Sequence, residues 1–349
     1  MSQSTIITHL CGGAAINIGN DVINPISDLG EGYSKIIFNY LDTSRANIDK
    51  IQPRGEFFLV TTKSHGKEAI DGSGGERREH AREIIANVND YLNKHKFLRK
   101  ETNEYHLVAF SSSGGSGNTL GAYIIKALME RSIPVFAVVI GDSSNAMYSI
   151  NTLNVLATLN KFALDANKPL SIIYVNNNNY MSNGIAAAEK TANQILFTTL
   201  TTMSLFLSGD NEGIDNQDMI NFVDQSNYTT IKVKPGLYGT HIYSKEMTLP
   251  NGATPTMARI LTLPDQDFNL SATLLHYKRG IVTNENVFSC IQKDQFPLML
   301  VNYANFFSIE EANLRKATDD YLNVANNIVS NQVQGSTNSN YDEDTGLIL

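Results

Sequence analysis

The chain has 349 residues, 42% hydrophobic and 18% charged, with a net charge of -8. That length suits two domains or one large α/β unit, the composition excludes disorder outside the ends, and the acidic balance argues against a broad nucleic-acid-binding surface. Cys11 and Cys290 are the only cysteines, too few for a disulfide scaffold or a thiolate zinc site. With no basic, apolar leader at Met1 to Leu10 and no apolar run of membrane-spanning length, the expectation is a cytoplasmic protein, neither exported nor membrane-embedded.

In chain order, the first half alternates short apolar runs, glycine-rich or polar loops and helical patterns, which is the signature of a parallel sheet built from βαβ units. The predicted strands are Thr5 to Leu10, Ile36 to Leu41, Phe57 to Thr61, Tyr105 to Phe110, Val135 to Ile140 and Ser171 to Val175. In an open parallel sheet the loops after them share the carboxyl edge, where ligands bind.

A long helix follows, roughly Gly184 to Ser208, with Ile195, Leu196, Leu200, Met203 and Leu207 as its buried stripe. Next come an acidic loop, Asp210 to Asp218, and a helical segment, Met219 to Gln225. Residues 228 to 307 carry β signals at Thr229 to Val233, Arg259 to Leu263, Thr273 to Tyr277 and Leu298 to Tyr303, which predicts a second, α+β domain. Ser308, with Glu310 and Glu311 behind it, reads as the N-cap of a last helix running to about Gln332. A polar linker and a short acidic tail close the chain.

The run Ser111 to Thr119 carries most information. Lying between a strand and a helix, its glycines let the backbone approach a ligand, so that successive N–H groups and the helix N-terminus face phosphate oxygens. It is neither a Walker A loop nor a Rossmann fingerprint. Asp215 and Asp218, three apart at a helix start, suit either an oriented water or a capping pattern. The seven histidines show no zinc-ligand spacing, Ser112 lacks the frame of a hydrolase nucleophile, and Cys11 reads as a small packing residue.

Ser113-Gly114-Gly115-Ser116-Gly117 resembles the core of Gly-Gly-Gly-Thr-Gly-Ser-Gly, the signature loop of the tubulin/FtsZ family of GTPases. It departs at Ser116 for Thr, Asn118 for Ser or Ala and Thr119 for the last Gly, which marks a divergent branch. The order of six loops, long helix and acidic loop extends the likeness over nearly the whole chain, strongly to residue 225 and in outline beyond. The resemblance implies a tubulin/FtsZ-like α/β fold: a parallel-sheet GTP-binding domain (1–183), a central helix (184–208), an α+β activation and interface domain (209–307), a C-terminal helix (308–332) and a flexible linker with an acidic tail (333–349).

It also implies the ligands. GTP or GDP would lie against Gly12, Gly13, Ala14 and Asn17 of the first loop, Asp42 and Thr43 of the second, Gly74 and Gly75 of the third, and Ser113, Gly114, Gly115, Ser116, Gly117 and Asn118 of the fourth. Asp42 would reach Mg²⁺ through water. Asn145 falls where the ribose loop belongs, and Asn193 corresponds to the residue on the guanine edge. Asn176 opens a run of four, to Asn179, of which one reaches the base; which one stays open.

Asp215 and Asp218 would polarise the water that attacks the nucleotide of the next subunit, which makes the protein its own partner in a head-to-tail homopolymer, single- or multi-stranded. The acidic tail residues Asp342, Glu343 and Asp344 resemble those of phage-encoded tubulins of the PhuZ type, which grip the next subunit; a merely solvated end is the alternative. The expected role is a filament that positions phage DNA or its replication compartment in the host cytoplasm, without direct nucleic-acid or membrane contact. Alternatives are a TubZ-like filament that segregates a plasmid or prophage and a non-polymerising nucleotide-binding α/β enzyme.

Overall fold

The computed structural model describes residues 4–27, 34–48, 55–63, 69–70, 81–97, 104–207, 216–223, 233–243, 252–253, 255–262, 277–281, 299–335, 341–342 and 347–348. The order is β1 (Thr5–Cys11), α1 (Gly12–Ser27), β2 (Lys35–Asp42), β3 (Glu56–Leu59), β4 (Thr62–Lys63), β5 (Ala69–Ile70), α2 (Ala81–Lys94), β6 (Glu104–Ser111), α3 (Ser116–Glu130), β7 (Val135–Gly141), α4 (Ala146–Asp165) and β8 (Pro169–Asn176). A 3-10 turn (Asn177–Asn183) leads into α5 (Ile185–Leu207), then α6 (Asn216–Val223), β9 (Gly236–Tyr243), β10 (Pro255–Thr262), β11 (Tyr277–Ile281), β12 (Met299–Tyr303), α7 (Phe306–Gly335), β13 (Tyr341–Asp342) and β14 (Leu347–Ile348).

Ten strands form one sheet in the order β11-β10-β12-β9-β8-β7-β6-β1-β2-β3. From β3 to β9 every pairing is parallel, and β12 runs antiparallel to both β9 and β10. The interior strands are buried along almost their whole length because helices cover both faces. Alternation sorts their side chains: Ile6, Leu10, Leu107 and Ala109 join α1 and α5 in one core. Ile7, Cys11, Val108 and Phe110 join α2, α3, α4 and α7 in the other. On α5 the predicted stripe is in place, with Leu196, Leu200, Met203 and Leu207 buried and Ile195 packed at the edge. Each such burial contributes about 1.5–3 kcal/mol.

The chain builds outward from β1 in two directions, through β2 to β3 and through β6 to β8. The reversal between β1 and β6 is the topological switch point, where an open α/β sheet leaves a crevice at its carboxyl edge.

Several expectations meet a different structure. The last helix starts at Phe306, not at a Ser308 cap: the buried Phe306 ring anchors the first turn, and the Ser308 hydroxyl donates to the Asn305 carbonyl at 2.9 Å. Strand β9 carries Gly236 and Gly239, which hide it from β propensity; a Cβ on Gly239 would run into the Tyr303 ring of β12. Of the predicted strands, residues 273–276 and 229–232 lie outside the described residues, and Tyr277 opens β11. In the tail, Tyr341–Asp342 pairs antiparallel with Leu347–Ile348.

Two histidines are core residues rather than ligands. His9 and His106 are buried on neighbouring strands, with His9 Nε2 2.9 Å from His106 Nδ1 and His9 Nδ1 2.7 Å from the Tyr91 hydroxyl. Burial holds His9 well below the usual imidazole range, with His106 and His95 nearby adding to the effect. Burial also lowers His106 to about 3. The unfolded chain therefore takes up protons near pH 6.5 that the folded one refuses, so stability is full above that pH and is lost as pH falls toward 3. Each group contributes a slope of up to about 1.4 kcal/mol per pH unit. Thermal unfolding between pH 7 and pH 4.5 should show this fall, and H106Q, which removes one titrating ring, should make it shallower.

Candidate functional site

A cavity of about 330 Å³ opens at the switch point. The carboxyl ends of β1, β2 and β6 deliver Cys11, Asp42 and Ser111 to its wall, and the starts of α1 and α3 close over them. Two glycines make this closure work. Gly12 turns the chain with φ +80°, and a Cβ there would lie 2.6 Å from the Gly117 Cα. A Cβ on Gly117 would in turn lie 2.7 Å from the Cys11 carbonyl oxygen. Only two facing glycines let the ends of β1 and α3 approach so closely.

No side chain caps the α3 N-terminus at Gly115. The N-termini of α3 and of α1, which begins at Gly12, both lie at the cavity, where first-turn N–H groups are offered to a ligand. Each helix end adds roughly half a positive charge. Around a Cβ placed on Gly114 there is open space, so that loop residue leaves room for a ligand. No Lys or Arg is among the described lining residues, and Asp42 is the one carboxylate there. Burial pushes the Cys11 thiol far above its usual range, with Asp42 adding to it, so the thiol stays protonated.

Asp42 is fixed on both oxygens. Oδ1 accepts from the Thr43 N–H at 2.7 Å and Oδ2 from the Asn47 amide at 3.1 Å. Thr43 Oγ1 lies 2.5 Å from Ser116 Oγ, so the second loop is tied to the start of α3. The opposite wall of the fourth loop is braced from inside: Ser112 donates to the Ile140 carbonyl at 3.1 Å, and Asn151 donates to the Ser113 carbonyl at 3.1 Å.

Of the residues singled out from sequence, Gly12, Gly13, Ala14, Asp42, Thr43, Ser113, Gly114, Gly115, Ser116 and Gly117 line this one cavity. The asparagines are placed differently. Asn118 is buried and donates to the carbonyls of Ser112 and Gly114, which shapes the loop. Asn145 is the N-cap of α4, accepting from the Tyr148 N–H at 2.9 Å. Asn176 accepts from the Asn178 N–H and donates to Ser143 Oγ at 2.9 Å. Asn17 is exposed on α1. Gly74, Gly75, Asp215, Glu343 and Asp344 lie outside the described residues. Asn47 and Tyr148, which the sequence did not single out, also line the wall.

Among the described residues three buried side-chain amide atoms have no hydrogen-bond partner: Asn20 Nδ2, Asn177 Oδ1 and Asn193 Oδ1. They belong to α1, the 3-10 turn and α5, and both α1 and the turn pack on α5. Unpartnered buried groups cost about 1–3 kcal/mol each and call for a ligand or water. Two acceptors and one donor complement the guanine edge, which offers N1–H and N2–H donors and the O6 acceptor. Phosphates at two helix ends and a purine against α5 fit the residues present. Among the described residues no cluster of His, Cys, Asp and Glu forms a metal cage, and a cation here would rest on Asp42 together with ligand oxygens and water.

Asp218 occupies the first turn of α6, which is reached only after the whole of α5. A helix of 23 residues is about 35 Å long. The last residue of α6, Val223, lies with Ile133, Pro134 and Pro169 at the amino ends of β7 and β8. The α6 helix that carries Asp218 and the cradle therefore sit at opposite edges of the sheet.

No family model matches the chain. It is 24% identical over 281 residues to a phage tubulin-like protein of Pseudomonas phage phiKZ, covering 78% of this chain and 79% of that one. A phage tubulin-like protein of Pseudomonas phage PhiPA3 is 24% identical over 242 residues, with 69% and 68% covered. Among solved structures, a PhuZ201 filament aligns over 99% of both chains with TM-score 0.70 at 18% identity. Phage tubulin PhuZ with GDP aligns over 99% of both chains with TM-score 0.67 at 18% identity. TubZ of Clostridium botulinum phage c-st aligns over 93% of this chain and 99% of its own, with TM-score 0.61 at 10% identity. The structural likenesses show a shared fold.

Proposed function

We propose that the chain belongs to the tubulin/FtsZ superfamily, close to the phage tubulins, and that it is a GTP-binding and GTP-hydrolysing cytoskeletal protein that polymerises head to tail. The observation that supports this reading is the position of the cradle at one edge of the sheet and of α6, with Asp218 in its first turn, at the other. On this reading Asp215 and Asp218 serve not the cradle of their own subunit but that of a neighbour stacked along the same axis. Hydrolysis is then completed at each subunit junction and activated by polymerisation.

In this account the α1 and α3 N-termini hold the phosphates, with Ser116 and Thr43 adding hydroxyl donors. Asp42, braced by Asn47, holds the waters around Mg²⁺. The metal would supply charge neutralisation to the phosphates. With no lysine or arginine among the described wall residues, backbone donors carry most of the anion binding. Asp215 and Asp218 of the next subunit orient the attacking water. Asn193, Asn177 and Asn20 meet the guanine edge.

The filament would position phage DNA or its replication compartment in the host cytoplasm, as the expectation from sequence has it. The tail, with Asp342, Glu343 and Asp344, would contact the neighbouring subunit. Light scattering tests the assembly: GTP should raise it steeply above a critical concentration, and GDP should not. A chain ending at residue 340 should need a several-fold higher concentration while binding GTP as before. Equal critical concentrations would make the tail a solvated end, and a flat signal with GTP would contradict polymerisation.

A further inference from the structure

We propose that Asp21 sets the base specificity of this site by fixing which way the Asn193 amide faces. Asp21 lies on α1 and Asn193 on α5. They meet at 2.6 Å between Asp21 Oδ2 and Asn193 Nδ2, across 172 residues of sequence. An ionised carboxylate only accepts, so the amide group that meets it must be the NH₂. The reverse orientation would set oxygen against oxygen. One end of the Asn193 amide is thereby spent, and the other, Oδ1, is the buried atom left without a partner.

The consequence for a purine is directional. A fixed acceptor takes a hydrogen bond from guanine N1–H or N2–H and repels the lone pair of adenine N1. An unbraced asparagine turns its NH₂ or its C=O toward the base at little cost, and so distinguishes the two purines poorly. The discriminating chemistry therefore lies in Asp21 as much as in Asn193. Asp21 never touches the base, which makes it a positioning residue. Its own exposure on α1 suits that role, because a substitution there leaves the core of the fold intact.

The inference rests on the guanine-nucleotide reading of the site, and binding by the full chain separates the two. Competition of GDP, IDP and ADP against a fluorescent GDP gives the ratio of ADP to GDP dissociation constants. D21N frees the Asn193 amide to turn, so the ratio should narrow by about tenfold or more, with IDP following GDP because it keeps N1–H. The exchange D21N with N193D places a donor at 21 and a fixed acceptor at 193, and should restore the ratio. A purely structural role for Asp21 would weaken all three nucleotides alike. An unchanged ratio in D21N, or a failure of the exchange to restore a narrowed one, overturns the role of Asp21. If D21N does not fold, the exchange variant decides alone: guanine preference retained supports the proposal and guanine preference lost overturns it. Absence of guanine preference in the unaltered chain overturns the reading of the site itself.

Discussion

G117A should lose nucleotide binding by at least about a hundredfold and unfold at a lower temperature. A methyl group at this position would lie 2.7 Å from the Cys11 carbonyl oxygen and 3.4 Å from the Gly12 Cα, both main-chain atoms at the end of β1. Unlike the tip of a flexible side chain, these atoms cannot step aside without parting α3 from α1, and that contact aims both helix N-termini at the cavity. A hundredfold loss corresponds to about 2.7 kcal/mol, within the cost of overpacking a closely packed site. G114A is the matched control, because a Cβ there meets nothing within 4 Å. It should melt with the unaltered chain. Thermal unfolding and binding of fluorescent GDP to both variants check the pair, and normal binding by G117A would refute the close-approach argument.

D215A should bind GTP and assemble as before, yet release phosphate about a hundredfold more slowly, leaving long-lived filaments. A carboxylate that orients and activates water contributes roughly 10²–10⁴ in rate. Because α6, which follows Asp215 in sequence, ends with Val223 at the amino ends of β7 and β8, away from the cradle, the substitution should spare monomer binding. Phosphate release measured on pelleted polymer reads the effect. Turnover equal to that of the unaltered chain would remove Asp215 from the reaction.

The parallel part of the fold was legible because an interior strand covered on both faces must be apolar throughout. Val135–Gly141 is such a run and Thr5–Cys11 comes close to one, broken only by Thr8 and His9, and each is punctuated by a glycine-rich or polar loop. Strand β9 was not legible, since Gly239 answers to the Tyr303 ring of a strand about 60 residues away rather than to any local preference. The phosphate cradle could be read from Ser113 to Gly117 because close backbone approach demands glycine wherever it occurs.

The asparagines could not be sorted in the same way. A cap, a turn and a base contact all ask for one short amide. Asn145 and Asn176 are engaged in a cap and a turn, whereas the unpartnered atoms belong to Asn20, Asn177 and Asn193. Asn47 had no sequence signal at all: its role arises when the turn after β2 carries its amide back to Asp42. The pairing of Asp21 with Asn193 depends on how α1 packs against α5, which no local pattern records.

The split between cradle and acids is the centre of the account, and the GTPase rate per subunit as a function of protein concentration tests it most directly. The rate should stay near zero below the concentration at which pelletable polymer first forms and rise sharply above it. A constant rate per subunit across that threshold would mean that each chain completes its own active site, and would contradict the account.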